Sequence, residues 1–340
     1  MSFASDNSAP VHPAIFEALA AANQGASASY GADPWTQRAE ALLREVFETE
    51  CAVLLVPTGT AANAIGLAAL VPPWGAVFCH RHAHIAEDEA GAPEFYTGGA
   101  RLLLLEGRSA KLTPEALAAE AGRYSRAWVH GAQPFAVSLT QASESGAVYA
   151  AAEVAALGEA CARLGLKLHM DGARFANAVA ATGASPAELT WKAGVAMLSL
   201  GATKNGAMAA EAILCFDPAA AAALPHLRKR AGHLFSKHRY LGAQMCAYLE
   251  GGLWLHLAAH ANSMATRLAL GLERAGCRLV HPVEANEVFA TLSAAQAARL
   301  EAVGARCYPW PADGPEVRRF VCSWATTPEE VDAALAALQG

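Results

Sequence analysis

Between about residues 50 and 220 the chain alternates short β-branched or leucine runs with longer alanine-rich segments, and nothing else in it restricts the fold as tightly. Parallel strands each followed by a crossover helix read this way, so an α/β layered domain with a mostly parallel central sheet is expected. Ala52–Val56 reads as a strand, and Pro57-Thr58-Gly59-Thr60 turns it into an apolar helix through Ala61 to Ile65. Segments 77–79, 101–105, 135–139, 166–170, 195–200 and 212–216 are further strands, with helical spacing at 114–121 and 150–164.

Past Pro225 the texture changes. A long, mostly helical stretch, interrupted at Gly251-Gly252, runs to about Arg274; strand-like runs follow at 278–281, 288–292 and 318–322, then a helix from Pro328. This predicts a smaller α+β domain at 241–340 beside a large α/β domain at 26–240, with residues 1–25 joining the small domain or the cleft between the two. No internal repeat is present.

Composition removes several functions. With 54% apolar and 16% charged residues, disorder is excluded as the main state. Lys plus Arg number 25 against 31 acidic residues, a formal charge of -6 with no long basic run, which argues against nucleic-acid or heparin partners. The most apolar stretches, 61–74 and 195–202, are too short for a bilayer or carry a Pro pair or a nearby Lys, so no membrane partner is expected. Met1 to Asn7 carries neither a basic nor an apolar leader region, and a cytoplasmic location is the expectation. The 8 cysteines include no C-x-x-C pair and read as small buried hydrophobes of a reducing compartment.

The strongest local signal is the segment from Leu166 to Arg174, an apolar strand delivering Asp171 at its C-terminal end, then Gly172 and Arg174. Ligands of open α/β sheets gather at that edge. Further on, the segment from Leu198 to Gly206 sets Lys204 among small residues just after another apolar strand. Such a lysine is costly to desolvate and is expected to be pushed toward the neutral, nucleophilic amine. The pair suits pyridoxal phosphate: the lysine holds the aldehyde as a Schiff base, and the carboxylate keeps the pyridine nitrogen protonated so that the ring accepts electron density from the substrate α carbon. Thr58, Gly59 and Thr60, at a strand-to-helix turn, offer backbone N–H donors and a helix N-terminus for the phosphate. Read alone, the cluster His80, His82, His84, Glu87, Asp88 and Glu89 also suggests a divalent metal site and a hydrolase; lacking a pattern such as H-E-x-x-H, no metal is assigned.

Almost end to end, the chain resembles the low-specificity L-threonine aldolases, part of the β-eliminating lyase group of fold-type-I pyridoxal phosphate enzymes, which share the aspartate aminotransferase fold. The resemblance rests on residues 30–34, 58–63, His84 with 89–92, 139–141, 169–174, 201–206 and 319–324. It implies Lys204 as the Schiff-base lysine, Asp171 as the pyridinium partner, Arg174 as a ligand of the cofactor's phenolic oxygen, and Gly59 and Thr60 at the phosphate. It implies His84 over the ring face, as candidate acceptor of the substrate's β-hydroxyl proton. Arg319 would clamp the substrate carboxylate, with Arg318 on the opposite face as a solvated residue; Asn7 would meet the substrate with Arg174; Tyr30 would reach into a neighbouring subunit's site. Arg230 and Lys237 would share a helix that brings cations toward the other subunit's phosphate.

The implied activity is retro-aldol cleavage of L-threonine, L-allo-threonine or related β-hydroxy-α-amino acids to glycine and an aldehyde, in a homodimer or homotetramer with sites at the subunit interface. A phenylserine-type aldolase or another β-eliminating lyase is the alternative. One departure stands out: many relatives read Asn-Thr-His-Asn where this chain has Leu139-Thr140-Gln141-Ala142, and Gln141 cannot act as a base.

Overall fold

Two sheets organise the computed structural model, which describes residues 1–124 and 129–338. The larger contains β1 (Ala52–Val56), β2 (Gly75–His80), β3 (Arg101–Leu105), β4 (Gln133–Thr140), β5 (Lys167–Gly172), β6 (Val195–Gly201) and β7 (Glu211–Cys215) in the order β1-β7-β6-β5-β4-β2-β3. From β6 through β5, β4 and β2 to β3 every pairing is parallel. β7 runs antiparallel to both β6 and β1. The cause is the connection: residues 202–210 are too few for a crossover helix, so the chain turns back on itself and carries Lys204 in the turn. Helices cover the sheet, and β2 and β7 are buried at every residue, as expected of strands with both faces packed.

The strand expectations hold to within a residue or two, with one exception in the small domain. There, β8 (Glu287–Thr291), β9 (Tyr308–Pro309) and β10 (Val317–Val321) form an antiparallel sheet in the order β8-β10-β9. The run at 278–281 makes only an isolated bridge, Leu279 to Ala290, because Pro282 has no N–H to continue a ladder. The helical stretch past Pro225 is three helices, Leu224–Arg230, Arg239–Leu249 and Leu253–Arg274. Gly232, Gly251 and Gly252 separate them at φ of 82°, 63° and 72°, backbone that glycine adopts without steric cost.

Each domain has its own core. Leu43, Phe47, Phe78, Phe175, Leu198 and Tyr248 belong to the larger, and Leu268, Leu272, Val288 and Phe320 to the smaller. The residue 240/241 division falls inside helix Arg239–Leu249, whose Leu241, Met245 and Tyr248 pack in the larger core. Helix Leu253–Arg274 spans both, with Trp254 and Ala258 in one core and Leu268 and Leu272 in the other. Phe3 is buried in the small core, and its carbonyl accepts from Val321 N–H at 2.8 Å. Directly afterwards, the 3-10 turn Asp6–Ser8 enters the cleft. Among the described residues, no helix is long and apolar enough to cross a membrane.

Candidate active site

The C-terminal edge of the parallel strands gathers the chemistry. Register sets Thr140 beside Asp171, and Glu211 opposite both Gly201 and Val56, so the ends of β1, β4, β5 and β6 and the start of β7 meet at one rim. A cavity of about 280 Å³ opens there, lined by Thr58, Gly59, Thr60, His84, Asp171, Arg174 and Lys204 together with Asn7. Eight of the sequence-predicted site residues therefore converge.

One wall is the N-terminus of helix Gly59–Leu70. Thr58 caps it, its hydroxyl accepting from Ala61 N–H at 3.1 Å, while its carbonyl accepts from Ala62 N–H. The N–H groups of Gly59 and Thr60 have no intrahelical acceptor, and a Cβ at Gly59 would meet nothing within 4 Å. Free donors, an open cradle and the positive end of a twelve-residue helix suit a phosphate.

The floor is a hydrogen-bonded chain of side chains. Asp171 Oδ1 accepts from Ala173 N–H at 3.0 Å and Oδ2 from Asn63 Nδ2 at 2.8 Å. The same Asn63 Nδ2 donates to Glu89 Oε1 at 2.8 Å, and Glu89 Oε1 faces His84 Nδ1 at 2.7 Å. The Glu89 hydrogen bond raises the His84 pKa above its ordinary value against the opposing effect of burial, so the imidazole tends to stay protonated with Nε2 left free. The other histidines pair elsewhere: His82 with Glu87, and His80 with the Gly107 carbonyl. Among the described residues no three His, Cys, Asp or Glu side chains converge as metal ligands.

Lys204 is half-buried, in the 3-10 turn Thr203–Asn205, and its charge acts on Asp6, Glu211 and Glu287. Two further carboxyls line the cavity. Glu211 accepts from Ala202 N–H at 3.1 Å, and burial pushes it up to about 7. Glu144 accepts through Oε1 from Thr140 Oγ1 at 2.6 Å and from His84 N–H at 3.0 Å; burial likewise pushes it up to about 7.

Arg174, at the start of helix Phe175–Thr182, is held in a fork by Asp6, with Nε to Oδ2 at 2.7 Å and Nη2 to Oδ1 at 3.0 Å, and its Nη1 lies 3.3 Å from Glu287 Oε2. Arg319 does not line the cavity. Its guanidinium lies 3.9 Å from Glu287 Oε1 and stacks near Trp310, 5.0 Å from that ring's centre, so it joins the site through Glu287. Arg318 is half-buried rather than solvated, donating to the Pro315 and Val317 carbonyls.

Tyr30 also lies outside the cavity, exposed, with Lys229 Nζ over its ring at 4.9 Å. Arg230 and Lys237 are exposed but do not share a helix: Arg230 ends Leu224–Arg230, Gly232 breaks the chain, and Lys237 precedes Arg239–Leu249. Gln141 is fully buried and clasps Tyr149, donating to its carbonyl at 2.8 Å and accepting from its N–H at 3.0 Å. Sequence reasoning assigned no role to Asp6, Asn63, Glu144, Glu211 or Glu287. The available signal was a charge opening an apolar strand, at Glu211 and Glu287.

Residues 2–295 match the family described as beta-eliminating lyase. The chain is 46% identical over 330 residues to the low specificity L-threonine aldolase of Pseudomonas aeruginosa, covering 97% of this chain and 94% of that protein. It superimposes on the Leishmania major threonine aldolase with a TM-score of 0.94 at 30% identity, covering 99% of this chain and 98% of that one. The serine palmitoyltransferase of Sphingomonas wittichii shares the fold, with a TM-score of 0.75 at 16% identity over 100% of this chain and 86% of that one.

Proposed function

The chain belongs to the beta-eliminating lyase family, and on that footing we propose that it is a pyridoxal-phosphate-dependent aldolase cleaving L-threonine, L-allo-threonine and related β-hydroxy-α-amino acids to glycine and an aldehyde. The observation that carries the reading is the convergence of Lys204, Asp171 and the free N–H groups of Gly59 and Thr60 on one cavity. The donor set fits the cofactor: an amine for the aldehyde, a buried carboxylate for the ring nitrogen, and a helix N-terminus for the phosphate. When bound, pyridoxal phosphate supplies an electrophilic aldehyde and a protonated ring that takes up the electron pair left on the substrate α carbon.

The protein's own part is positioning and proton control. Asp171 is held in place by Asn63 and the Ala173 N–H, each donating to one of its oxygens. His84, locked at Nδ1 by Glu89, lines the cavity and serves there as a proton donor. Arg174 lines the cavity as the cation for the substrate carboxylate, with Asn7 beside it, and Arg319 supports the same corner through Glu287. Fixing the carboxylate selects which bond at the α carbon breaks. Lys204 is the amine that returns when product leaves.

Exposed Tyr30, Arg230 and Lys237 support an assembly of two or four copies in which each copy's Tyr30 approaches the other's site. The free cysteines and the acidic balance support a reducing, cytoplasmic setting without nucleic-acid or membrane partners.

Product analysis tests the activity. Glycine and acetaldehyde from L-threonine, lost in Lys204→Ala together with the visible absorbance of the bound cofactor, is the expected result. 2-Oxobutanoate plus ammonia, the products of eliminating the threonine hydroxyl, or turnover surviving in Lys204→Ala, overturns the reading.

A further inference from the structure

A retro-aldol cleavage needs a base for the substrate's β-hydroxyl, and the two side chains that sequence comparison would nominate are poorly suited to it. Gln141 has no basic group and is spent on the Tyr149 backbone. His84 is paired through Nδ1 with a buried carboxylate that favours its protonated form, which makes it a donor.

The remaining cavity-lining carboxyls differ in what their oxygens already do. Asp171 has a donor on each oxygen. Glu89 takes His84 at 2.7 Å and Asn63 at 2.8 Å on the same oxygen, Oε1, leaving Oε2 buried without a partner, but its carboxylate is already paired with the His84 imidazole. Glu211 is occupied by the Ala202 N–H and by Thr203 beneath Lys204. Glu144 has one oxygen fully committed, to Thr140 Oγ1 and the His84 N–H, and the other, Oε2, sheltered from water with no partner; unlike Glu89 it has no imidazole bonded to its carboxylate. A buried carboxylate oxygen without a donor calls for an explanation, and on a cavity-lining residue a ligand's proton supplies one.

We infer that Glu144 is the catalytic base of the aldol step, accepting the proton of the substrate's β-hydroxyl on Oε2. The inference rests on the aldolase reading above. The balance is closed: the hydroxyl O–H bond breaks with its proton passing to Glu144, and the oxygen's electron pair forms the C=O of the departing aldehyde. The Cα–Cβ bond breaks with its pair left on Cα, and Cα takes up one proton to complete glycine. Nothing is oxidised or reduced, and Glu144 returns its proton to water.

The anchoring through Oε1 gives the base a fixed geometry, since the same side chain joins the end of β4 to the segment bearing His84. The groups facing Glu144 are the His84–Glu89 pair, Asp171 on β5, the Tyr149 hydroxyl and the Cys79 thiol of β2. Burial, with the Asp171 charge adding to it and the Thr140 and His84 N–H hydrogen bonds opposing it, pushes the Glu144 carboxyl up to about 7, where a base is available at neutral pH and its conjugate acid still gives the proton up.

The test compares two reactions of the cofactor-loaded enzyme: cleavage of L-threonine, which needs the hydroxyl proton removed, and exchange of the glycine α-hydrogen in D2O, which does not. Glu144→Gln keeps an oxygen for Thr140 and His84 but cannot take a proton. Expected is a fall in cleavage kcat of at least about 100-fold, with α-exchange, glycine affinity and cofactor affinity within about threefold of the parent. The parent enzyme should also show an ascending limb near pH 7 in cleavage kcat that α-exchange lacks; if the variant does not fold, this comparison alone decides. Cleavage retained in Glu144→Gln, an equal loss in both reactions, or a parent limb shared by both reactions overturns the assignment while leaving the aldolase reading intact. A parent enzyme that releases no glycine from threonine overturns both.

Discussion

Asp6→Asn is the most informative single change outside the reacting groups, because one buried carboxylate ties three parts of the fold to the cavity. Asp6 Oδ1 and Oδ2 accept from the Arg174 fork at 3.0 and 2.7 Å, and Asn286 Nδ2 donates to Oδ2 at 3.1 Å. The side chains are 1% and 11% exposed, so solvent screens the pair little. Asparagine keeps one acceptor and turns the other into a donor aimed at a guanidinium. Two bonds between opposite charges become at best one from the guanidinium to a neutral amide oxygen, and Arg174 keeps Glu287 at 3.3 Å, with Asp171 acting from farther off, as counter-charge. Hydrogen bonds to a charged group contribute about 1.5–3 kcal/mol each and removing one charge of a buried pair costs about 3–5, so with one bond and Glu287 retained the expected loss is about 3 kcal/mol.

At about 2.1 cal/mol/K of unfolding entropy per residue, a chain of 340 residues loses about 4 °C in Tm for that destabilisation. Calorimetry at pH 7 reads it, with Arg38→Ala as the control: its partners Glu45 and Glu250 are 65% and 51% exposed, and less than about 1 °C is expected. The pH dependence has a definite sign. Burial opposes ionisation of Asp6, but the Arg174 and Lys204 charges and the Arg174 and Asn286 hydrogen bonds outweigh it and hold the carboxyl below its ordinary 3.8. A depressed acid contributes stability above its unfolded pKa and loses it as pH falls through the folded one. The gap between parent and variant should therefore be constant from pH 5 to 8 and close only below about 3.8. A variant within about 1 °C of the parent at pH 7 would refute the account of Asp6 as the buried counter-charge of Arg174.

Gly59→Ala should leave the stability of the cofactor-free protein unchanged or slightly higher, since the added methyl meets open space in a helical turn; cofactor affinity should fall at least about tenfold by absorbance titration, and an unchanged affinity would move the phosphate elsewhere. Asp171→Asn should still take up cofactor but lose at least about 100-fold in threonine cleavage, because a neutral amide cannot keep a ring nitrogen protonated; near-parental turnover would remove that role.

The mostly parallel sheet, the strand-end aspartate, the lysine turn and the strand-to-helix turn at Thr58, Gly59 and Thr60 were all legible in the residue order. Each is a local pattern: an apolar run long enough for a strand, then one polar group that the run delivers to a fixed edge. Lys204 and Asp171 stood out because a lone charge beside buried strands has few reasons to be there. Residue order could not reveal which charges would meet. Asp6 and Arg174 are 168 positions apart, Asn63 and Asp171 are 108 apart, and His84 and Glu144 are 60 apart. The family resemblance implied Arg319 at the substrate carboxylate and Arg230 with Lys237 on one helix; in the fold Arg319 lies beside Glu287 and Gly232 separates the other two. Composition and periodicity fix what each segment wants to bury, and so determined the layers and the rim where the site lies. The partner of each buried charge is chosen by which segments the packed domains bring within 3 Å, and that choice, which left Glu144 with one free oxygen, exists only in the folded chain.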